Sequence, residues 1–474
     1  MNYIFHQEVS AIIPADLCRE TVQNLWHRFC FTLSEIQLTT ANTASCSPCP
    51  DHASPDTDFS GDSMQAYPTL TIGTTAVLPL PDGKEFIISV TESGIAITGK
   101  DTNCLMRGYI ALLMQIKYSS LEKGQETFCI PCGVTQSNYR LQNRMIHLCV
   151  FPETDLYYMK KIIRLIGLCQ YTHVVLEFWG SLKFDCMKEL AWPNALSKAE
   201  AEELIREIRA FGIEPIPMFN QLGHAAGARR RYMKHVILDQ NPALQDYFAP
   251  DEWSWNIRST KVQRLFSEVR TELYDLFGPG NYIHLGFDEA DYCTRCPEIR
   301  QYLPQYLHDL THTIIQEGRR PMVWIDMLLD KEKFPDMTAH CPAEDVEMLH
   351  QALHPDTVMI DWQYRVKEAP VATTLSLKGS SFDVMGAPCL DSTNIKAHVD
   401  TLAAHDFFGI MLTTWASLKD QLVQILNCAH LCGAETFYWS ACSGLYEETA
   451  VMMRRVSFEG NTYEESGCTR EQIE

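Results

Sequence analysis

From residue 144 to residue 415 the chain repeats one pattern: a short apolar run, then a longer stretch with apolar residues at helical spacing. The runs read as strands are "MIHLCVF" (145–151), "THVVLEFW" (172–179), "IEPIPMF" (213–219), "YIHLGF" (282–287), "PMVWID" (321–326), "TVMIDW" (357–362), "FDVMGA" (382–387) and "GIMLTTW" (409–415). Continuous apolar runs of this length suit strands buried on both faces, as in a parallel sheet. Helices fill the gaps. In "PETDLYYMKKIIRLIG" Leu156, Met159, Ile163 and Ile166 fall on one face, and "LSKAEAEELIREIRAFG" opens on a Ser197/Glu200 capping box and closes at Gly212. Eight such units over about 300 residues predict a (β/α)8 barrel. A doubly wound sheet alternates in the same way, but it usually carries a glycine-rich phosphate turn after its first strand, and none stands here.

The pattern before residue 135 differs. "TLTIG" reads as a strand, and "EFIISVTESGIAIT" alternates apolar and polar residues about a turn, as a hairpin does. "DTNCLMRGYIALLMQI" has helical spacing with Asp101 or Thr102 as its cap. Strands with a covering helix predict a small α+β domain over 1–135. The Ser/Thr/Pro/Asp-rich stretch at about 41–64 cannot bury a core and reads as an insert. The barrel is expected over 140–455 and a polar tail over 456–474.

Composition narrows the function classes. A chain of 474 residues, 46% hydrophobic and 21% charged, is a globular protein with sizeable cores. A net charge of −21 argues against a nucleic-acid or anionic-membrane partner. The basic run Arg229–Arg231 is read as a solvated loop, with contact to an acidic group as the alternative. The first residues show no basic-then-apolar leader and no run of 18 apolar residues occurs, so no membrane span and a cytoplasmic location are expected. The 18 cysteines then read as reduced thiols. Three CxxC pairs (Cys46/Cys49, Cys129/Cys132, Cys293/Cys296) leave a metal or a disulfide as the alternative; free thiols, no metal and no cofactor are expected.

A barrel carries its chemistry at the C-terminal ends of its strands. Those ends here hold Glu177 and Trp179, then His224 beyond the third strand, Asp288 and Glu289, Trp324 and Asp326, Asp361, Trp362 and Tyr364, and Trp415; Arg144 precedes the first strand. Four of the nine tryptophans fall at these ends. Indole faces stack on sugar rings and carboxylates bind hydroxyls, so the set points to a carbohydrate pocket. Each residue also has a plainer reading: Trp324 and Trp415 as barrel core, His224 as a loop histidine, Arg144 as the partner of a nearby carboxylate.

These segments resemble a known family. "HLGFDEA" resembles the His-x-Gly-Gly-Asp-Glu motif of glycoside hydrolase family 20, the β-N-acetylhexosaminidases; "GIEPIPMFNQLGHA" and "PMVWIDMLLD" resemble its third and fifth strands. The block "EFIISVTESGIAITGKDTNCLMRGYIALLMQI" is similar to the small α+β domain preceding the family's barrel, and "RMIHL", "VVLEFW" and "VWIDML" resemble its hexosaminidase D-like branch. The resemblance spans roughly 70–415 and implies a retaining exo-hydrolase acting on glycans with terminal β-linked GlcNAc or GalNAc. The mechanism it implies is substrate-assisted: the sugar's own acetamide oxygen is the nucleophile. Glu289 is then the general acid/base, with a pKa raised by its surroundings, and Asp288 orients the acetamide. Arg144 and either Asp326 or Glu177 are expected on hydroxyls, His224 behind the acid pair, Trp324, Trp362 and Trp415 as walls, and Tyr364 on the acetamide carbonyl. Gly286 is expected to leave space beside Asp288.

Three positions depart from the family's pattern. Phe287 replaces a glycine, and its ring must enter the barrel wall or narrow the pocket; Cys149 stands where aspartate is frequent; "MFNQ" closes the third strand without an acid. Two alternatives stay open: a non-catalytic sugar-binding barrel, and a two-carboxylate retaining glycosidase with Glu177 or Asp326 as nucleophile. Oligomeric state, a homodimer included, is left open.

Overall fold

A computed structural model describes residues 1–5, 8–30, 35–40, 69–73, 78–121, 125–151, 154–178, 180–225, 237–238, 241–389, 391–415, 418–433 and 445–458. The 41–64 insert, Cys46/Cys49, Trp179, Arg229–Arg231 and the tail from 459 lie outside them.

Eight parallel strands close into a barrel: β1 (Asn143–Cys149), β2 (His173–Glu177), β3 (Glu214–Met218), β4 (Tyr282–His284), β5 (Arg320–Trp324), β6 (Val358–Asp361), β7 (Asp383–Gly386) and β8 (Gly409–Leu412). Closure is made by β1 and β8, with Arg144 opposite Ile410 and Met145 opposite Met411. All eight expected strands occur in order, several shorter than their apolar runs. The run 282–287 keeps strand geometry only to His284, because Gly286 and Phe287 take positive φ and turn the chain.

Alternation along the strands divides the core in two. Met145, Val175, Ile216, Met322, Val358, Met385 and Met411 belong to the cluster inside the barrel. Ile146, Leu148, Val174, Leu176, Val323, Met359 and Ile410 pack on the surrounding helices. Those helices are set by local signals. Ser197 and Glu200 make both bonds of the capping box on helix Lys198–Ala210, and Gly212 follows its end at φ 69°. Asp155 caps helix Leu156–Leu168 by accepting from Tyr158 N.

Ahead of the barrel stands a six-stranded sheet in the order Glu35–Thr40, Glu8–Ile13, Thr69–Gly73, Gly94–Gly99, Phe86–Thr91, Gly133–Gln136. The expected hairpin is its Phe86–Thr91/Gly94–Gly99 pair. Asp101 is the cap of helix Thr102–Gln115, accepting from Cys104 N at 2.7 Å. That helix is buried on nearly every side, since it contacts both the sheet and helix Leu156–Leu168. The pattern reading missed helix Arg19–Cys30 and the strands beside it, Glu8–Ile13 and Glu35–Thr40, which pair in parallel across it. It also missed a separate sheet of Asn2–Ile4, Gln125–Pro131 and Lys117–Leu121. These strands are short and their polar residues break the alternation. Among the described residues no helix is long and apolar enough to cross a membrane.

Candidate active site

The site begins where β4 ends. Gly286 turns at φ 74°, Phe287 at 94° and Glu289 at 51°. A bulky residue at positive φ is strained, and such residues concentrate where a side chain must be aimed. The turn sends Phe287 outward into the core between strands and helices, where it is 1% exposed. It therefore joins the wall and does not narrow the pocket. Asp288 and Glu289 would point oppositely on a regular strand; the turn brings both to one imidazole. His224 Nε2 lies 3.1 Å from Asp288 Oδ2 and 3.2 Å from Glu289 Oε2.

His224 comes from the loop after β3, itself at φ 48°. That loop packs backbone to backbone against the acid turn: a Cβ on Gly223 would lie 2.0 Å from the Asp288 carbonyl oxygen. Trp253, from a later part of the same β3–β4 connection, lies against His224 with ring centres 4.2 Å apart and planes tilted by 54°, and donates its indole N–H to the Glu289 carbonyl. From β5 comes Asp326, whose Oδ2 accepts the Glu289 backbone N–H at 2.8 Å and whose Oδ1 accepts Trp362 Nε1 at 3.0 Å. Tyr364 lies 5.2 Å from the Trp362 ring, and its hydroxyl accepts from Trp415 Nε1 and sits 3.2 Å from the Thr413 hydroxyl. Asp288, Glu289, His224, Asp326, Trp362, Tyr364 and Trp415 are thus one cluster at the mouth of the barrel.

The electrostatics follow from burial and charge. Burial alone would lower the His224 pKa, but the Asp288 charge and hydrogen bonds to Asp288 and Glu289 outweigh it and raise it to about 10. Two carboxylates thus share one cation. Asp326, 1% exposed, is pushed up to about 8, first by burial and then by the nearby Asp288 charge. Burial also raises Tyr364 well above its ordinary value, which keeps its O–H protonated. Glu289 is the exposed acid of the pair, with 45% of its side chain accessible against 8% for Asp288.

Three expected residues take other parts, and one of them lies away from the site. Arg144 is the clearest correction. It lies at the start of β1, at the opposite end of the barrel, and its guanidinium is bonded to Glu85 of the small domain at 2.9 and 3.2 Å. Its neighbour Met145 faces the barrel interior, so alternation turns Arg144 outward. The plainer reading, a carboxylate partner, holds. Glu177 lies inside the barrel, but both its oxygens are engaged: His147 Nε2 lies 2.9 Å from Oε2, and Asn220 Nδ2 donates to Oε1 at 2.7 Å. Trp324 is fully buried in the interior cluster, 4.5 Å from the His284 ring and 6.0 Å from that of Trp415. It forms the floor under the site. The space beside Gly286 is filled by Asn220, whose Oδ1 would lie 1.7 Å from an added Cβ.

The sequence reading missed His147, Asn220, Trp253, His284 and His340. His147 had a signal, since it follows Met145 on the inward face of β1. Trp253 and His340 had none, because both lie in loops far along the chain; His340 Nδ1 contacts Asp291 at 2.9 Å. The remaining CxxC cysteines, Cys129, Cys132, Cys293 and Cys296, are free thiols, and no group of three or more metal-ligating side chains occurs among the described residues.

Residues 175–369, from β2 to just beyond β6, match the family model described as glycosyl hydrolase family 20, catalytic domain. No curated protein matches the chain. Solved structures do. Flavobacterium johnsoniae chitobiase is 13% identical with a TM-score of 0.64, over 96% of this chain and 70% of that one. The exo-β-N-acetylglucosaminidase of Vibrio harveyi, solved with N-acetylglucosamine, is 12% identical with a TM-score of 0.62, over 96% and 74%. The β-N-acetylhexosaminidase of Streptomyces coelicolor A3(2) is 16% identical with a TM-score of 0.59, over 98% and 94%. At these identities the structures establish a shared fold, while the family match falls on the strands that carry Asp288 and Glu289. The barrel from β2 to just beyond β6 therefore matches the catalytic-domain model of glycosyl hydrolase family 20, and its fold is shared with these solved hexosaminidase structures.

Proposed function

We propose that the protein is a retaining exo-β-N-acetylhexosaminidase working by neighbouring-group participation. The observation that carries this is the acid turn: two adjacent carboxylates, aimed by strained backbone at one imidazole, between indole walls. Two adjacent acids cannot serve as the opposed pair of a two-carboxylate glycosidase, which needs them on either side of the sugar. They suit a reaction in which one acts on the leaving oxygen and the other on the acetamide. Asp288 Oδ1 is buried without a hydrogen-bond partner in the protein, so it has a lone pair for the acetamide N–H. With its nitrogen held, the acetamide oxygen attacks the anomeric carbon as the glycosidic C–O bond breaks. The leaving oxygen takes its proton from Glu289. Water then attacks the anomeric carbon, giving its proton back to Glu289 and reopening the oxazolinium with overall retention. Tyr364 accepts from Thr413 and Trp415, which leaves its own O–H to donate to the acetamide oxygen.

The two-carboxylate alternative needs Glu177 or Asp326 as nucleophile. Glu177 already holds His147 and Asn220, and Asp326 is buried beneath the Glu289 amide. The test is release of p-nitrophenol from its β-GlcNAc and β-GalNAc glycosides. Glu289→Gln and Asp288→Asn are each expected to lower kcat by roughly 10²–10⁴. A cyclised thiazoline mimic of the acetamide should inhibit wild type strongly. Turnover that survives both substitutions, or indifference to the thiazoline, would defeat this mechanism.

A further inference from the structure

Cys293 and Cys296 are the CxxC pair that stands just beyond the acid turn, four and seven residues after Glu289. They occupy the joint between a short helix, Asp291–Arg295, and a helix of 20 residues, Pro297–Gln316. Cys293 lies in the first and is fully buried; Cys296 is the N-cap of the second and is half-buried. Their surroundings differ. Cys296 sits at the positive end of a long helix. The Ile299 N–H, the Tyr292 hydroxyl and the Glu298 N–H reach its sulfur and hold its pKa below the ordinary thiol value. Burial instead pushes the Cys293 thiol up to about 12. Cys296 is thus placed as a nucleophile and Cys293 as its buried partner.

The backbone brings the two thiols to one side. The Cys296 N–H closes a helical turn on the Tyr292 carbonyl at 2.9 Å. Residues three apart on such a turn have Cβ atoms about 5–6 Å apart. A disulfide needs them about 3.5–4.5 Å apart, so the bond requires the turn to tighten by about 1–2 Å. Cys296 is anchored on the long helix, and the short helix is the part that must move. That movement has two routes to the acid turn. The Cys293 thiol faces the Ser254 hydroxyl, and the Asp251 carboxylate holds Ser254 and Trp253 together. Trp253 in turn lies against His224 and donates to the Glu289 carbonyl. Asp291, in the same short helix, contacts His340, whose backbone N–H donates to the Asp326 carbonyl at 2.7 Å.

We propose that Cys293 and Cys296 are a reversible oxidation site, closed to a disulfide by low-molecular-weight disulfides, and that closure slows the enzyme. Its coupling to turnover rests on the hexosaminidase reading. The Cys296 thiolate attacks one sulfur of the small disulfide, forming a mixed disulfide and releasing one small thiolate. The Cys293 sulfur then attacks the Cys296 sulfur; the mixed bond breaks, and the second small thiolate leaves with the Cys293 proton. The two cysteines give up two electrons and two protons, and the small disulfide becomes two thiols.

The experiment incubates the protein with glutathione disulfide, blocks remaining thiols with N-ethylmaleimide and digests it with trypsin without reduction. Cleavage after Arg295 separates the two cysteines. The disulfide is then read by mass as the peptide ending at Arg295 joined to the peptide beginning at Cys296. This joined pair is expected, and dithiothreitol should part it. On p-nitrophenyl β-GlcNAc, kcat of the oxidised protein should fall by roughly tenfold or more and return with dithiothreitol. Cys293→Ser and Cys296→Ser should keep the reduced rate and resist the oxidant. Cys296→Ser, at the less buried position, carries the test alone if Cys293→Ser misfolds. Absence of the joined pair, an unchanged kcat once it has formed, or inactivation that persists in the serine variants would overturn the proposal while leaving the hexosaminidase reading intact. If the reduced protein turns over no hexosaminide, that reading fails, and the peptide map with calorimetry of GlcNAc on both redox forms decides the site. Weaker binding to the oxidised form supports it; equal binding refutes it.

Discussion

Glu289 holds φ 51° only because three neighbours fix its backbone: Asp326 takes its N–H, Trp253 takes its carbonyl, and His224 holds its carboxylate. His224 is the residue on which this arrangement turns. Its folded pKa of about 10 stands above the ordinary 6.5, so the folded state binds its proton more tightly than the unfolded chain does. The stabilisation is complete below pH 6.5 and is lost as pH rises through about 10. Melting temperatures of wild type and His224→Gln, measured from pH 6 to 10.5, should differ most at the acid end and converge toward the alkaline end. A gap constant with pH would mean that His224 acts by packing alone. The sequence showed the histidine and the acid pair; their meeting depends on a loop after β3 and a turn after β4, which no local pattern specifies.

At the scale of the element, the strand end and not the strand does the positioning. β4 contributes three residues to the sheet, and the turn beyond it works because Gly286 lacks a Cβ. Asn220 occupies that space and passes a hydrogen bond to Glu177. Gly286→Ala meets both a positive φ and a contact of 1.7 Å, so it should cost roughly 3 kcal/mol in denaturant unfolding. It should also reduce p-nitrophenyl hexosaminide turnover, since Asn220 must move. An alanine variant with unchanged midpoint and activity would show that the turn has room to spare. Helices Thr102–Gln115, Leu156–Leu168 and Lys198–Ala210 were legible at once, because a cap and an apolar stripe are local, whereas helix Arg19–Cys30 was missed. Strands Glu8–Ile13 and Glu35–Thr40 of the small domain were not, because cross-strand partners, and not alternation, keep them in place.

At the scale of the whole molecule, one buried carboxylate joins the two parts. Glu85 of the small domain binds Arg144 of β1 and Arg107 of helix Thr102–Gln115, and Arg107 reaches on to the Gly212 carbonyl in the barrel. Burial raises the Glu85 pKa, but the two guanidiniums more than reverse it and hold it below the usual range. Arg144→Met leaves Glu85 with one partner and should cost about 3 kcal/mol of stability. Because the group is at the far end of the barrel from Asp288, KM for hexosaminides should stay near wild type. A large rise in KM with unchanged stability would return Arg144 to the sugar site.

Taken alone, the sequence determined what is local or periodic. Eight apolar runs separated by capped helices imply a parallel barrel, and a barrel places chemistry at strand ends; that led to Asp288, Glu289, Asp326, Trp362, Tyr364 and Trp415. The bulk of Phe287 left two outcomes, the wall or a narrowed pocket, and the turn after β4 decided for the wall. What only the tertiary structure decided is the side of the barrel on which each residue acts. Alternation in register with the neighbouring strand turns Arg144 outward to Glu85 and Met145 inward. Ring closure puts Trp324 on the floor, and His147 and Asn220 in possession of Glu177. It also brings Lys161 after β1 and Lys419 after β8, residues 258 positions apart, to the wall of one cavity, because the first strand pairs with the last.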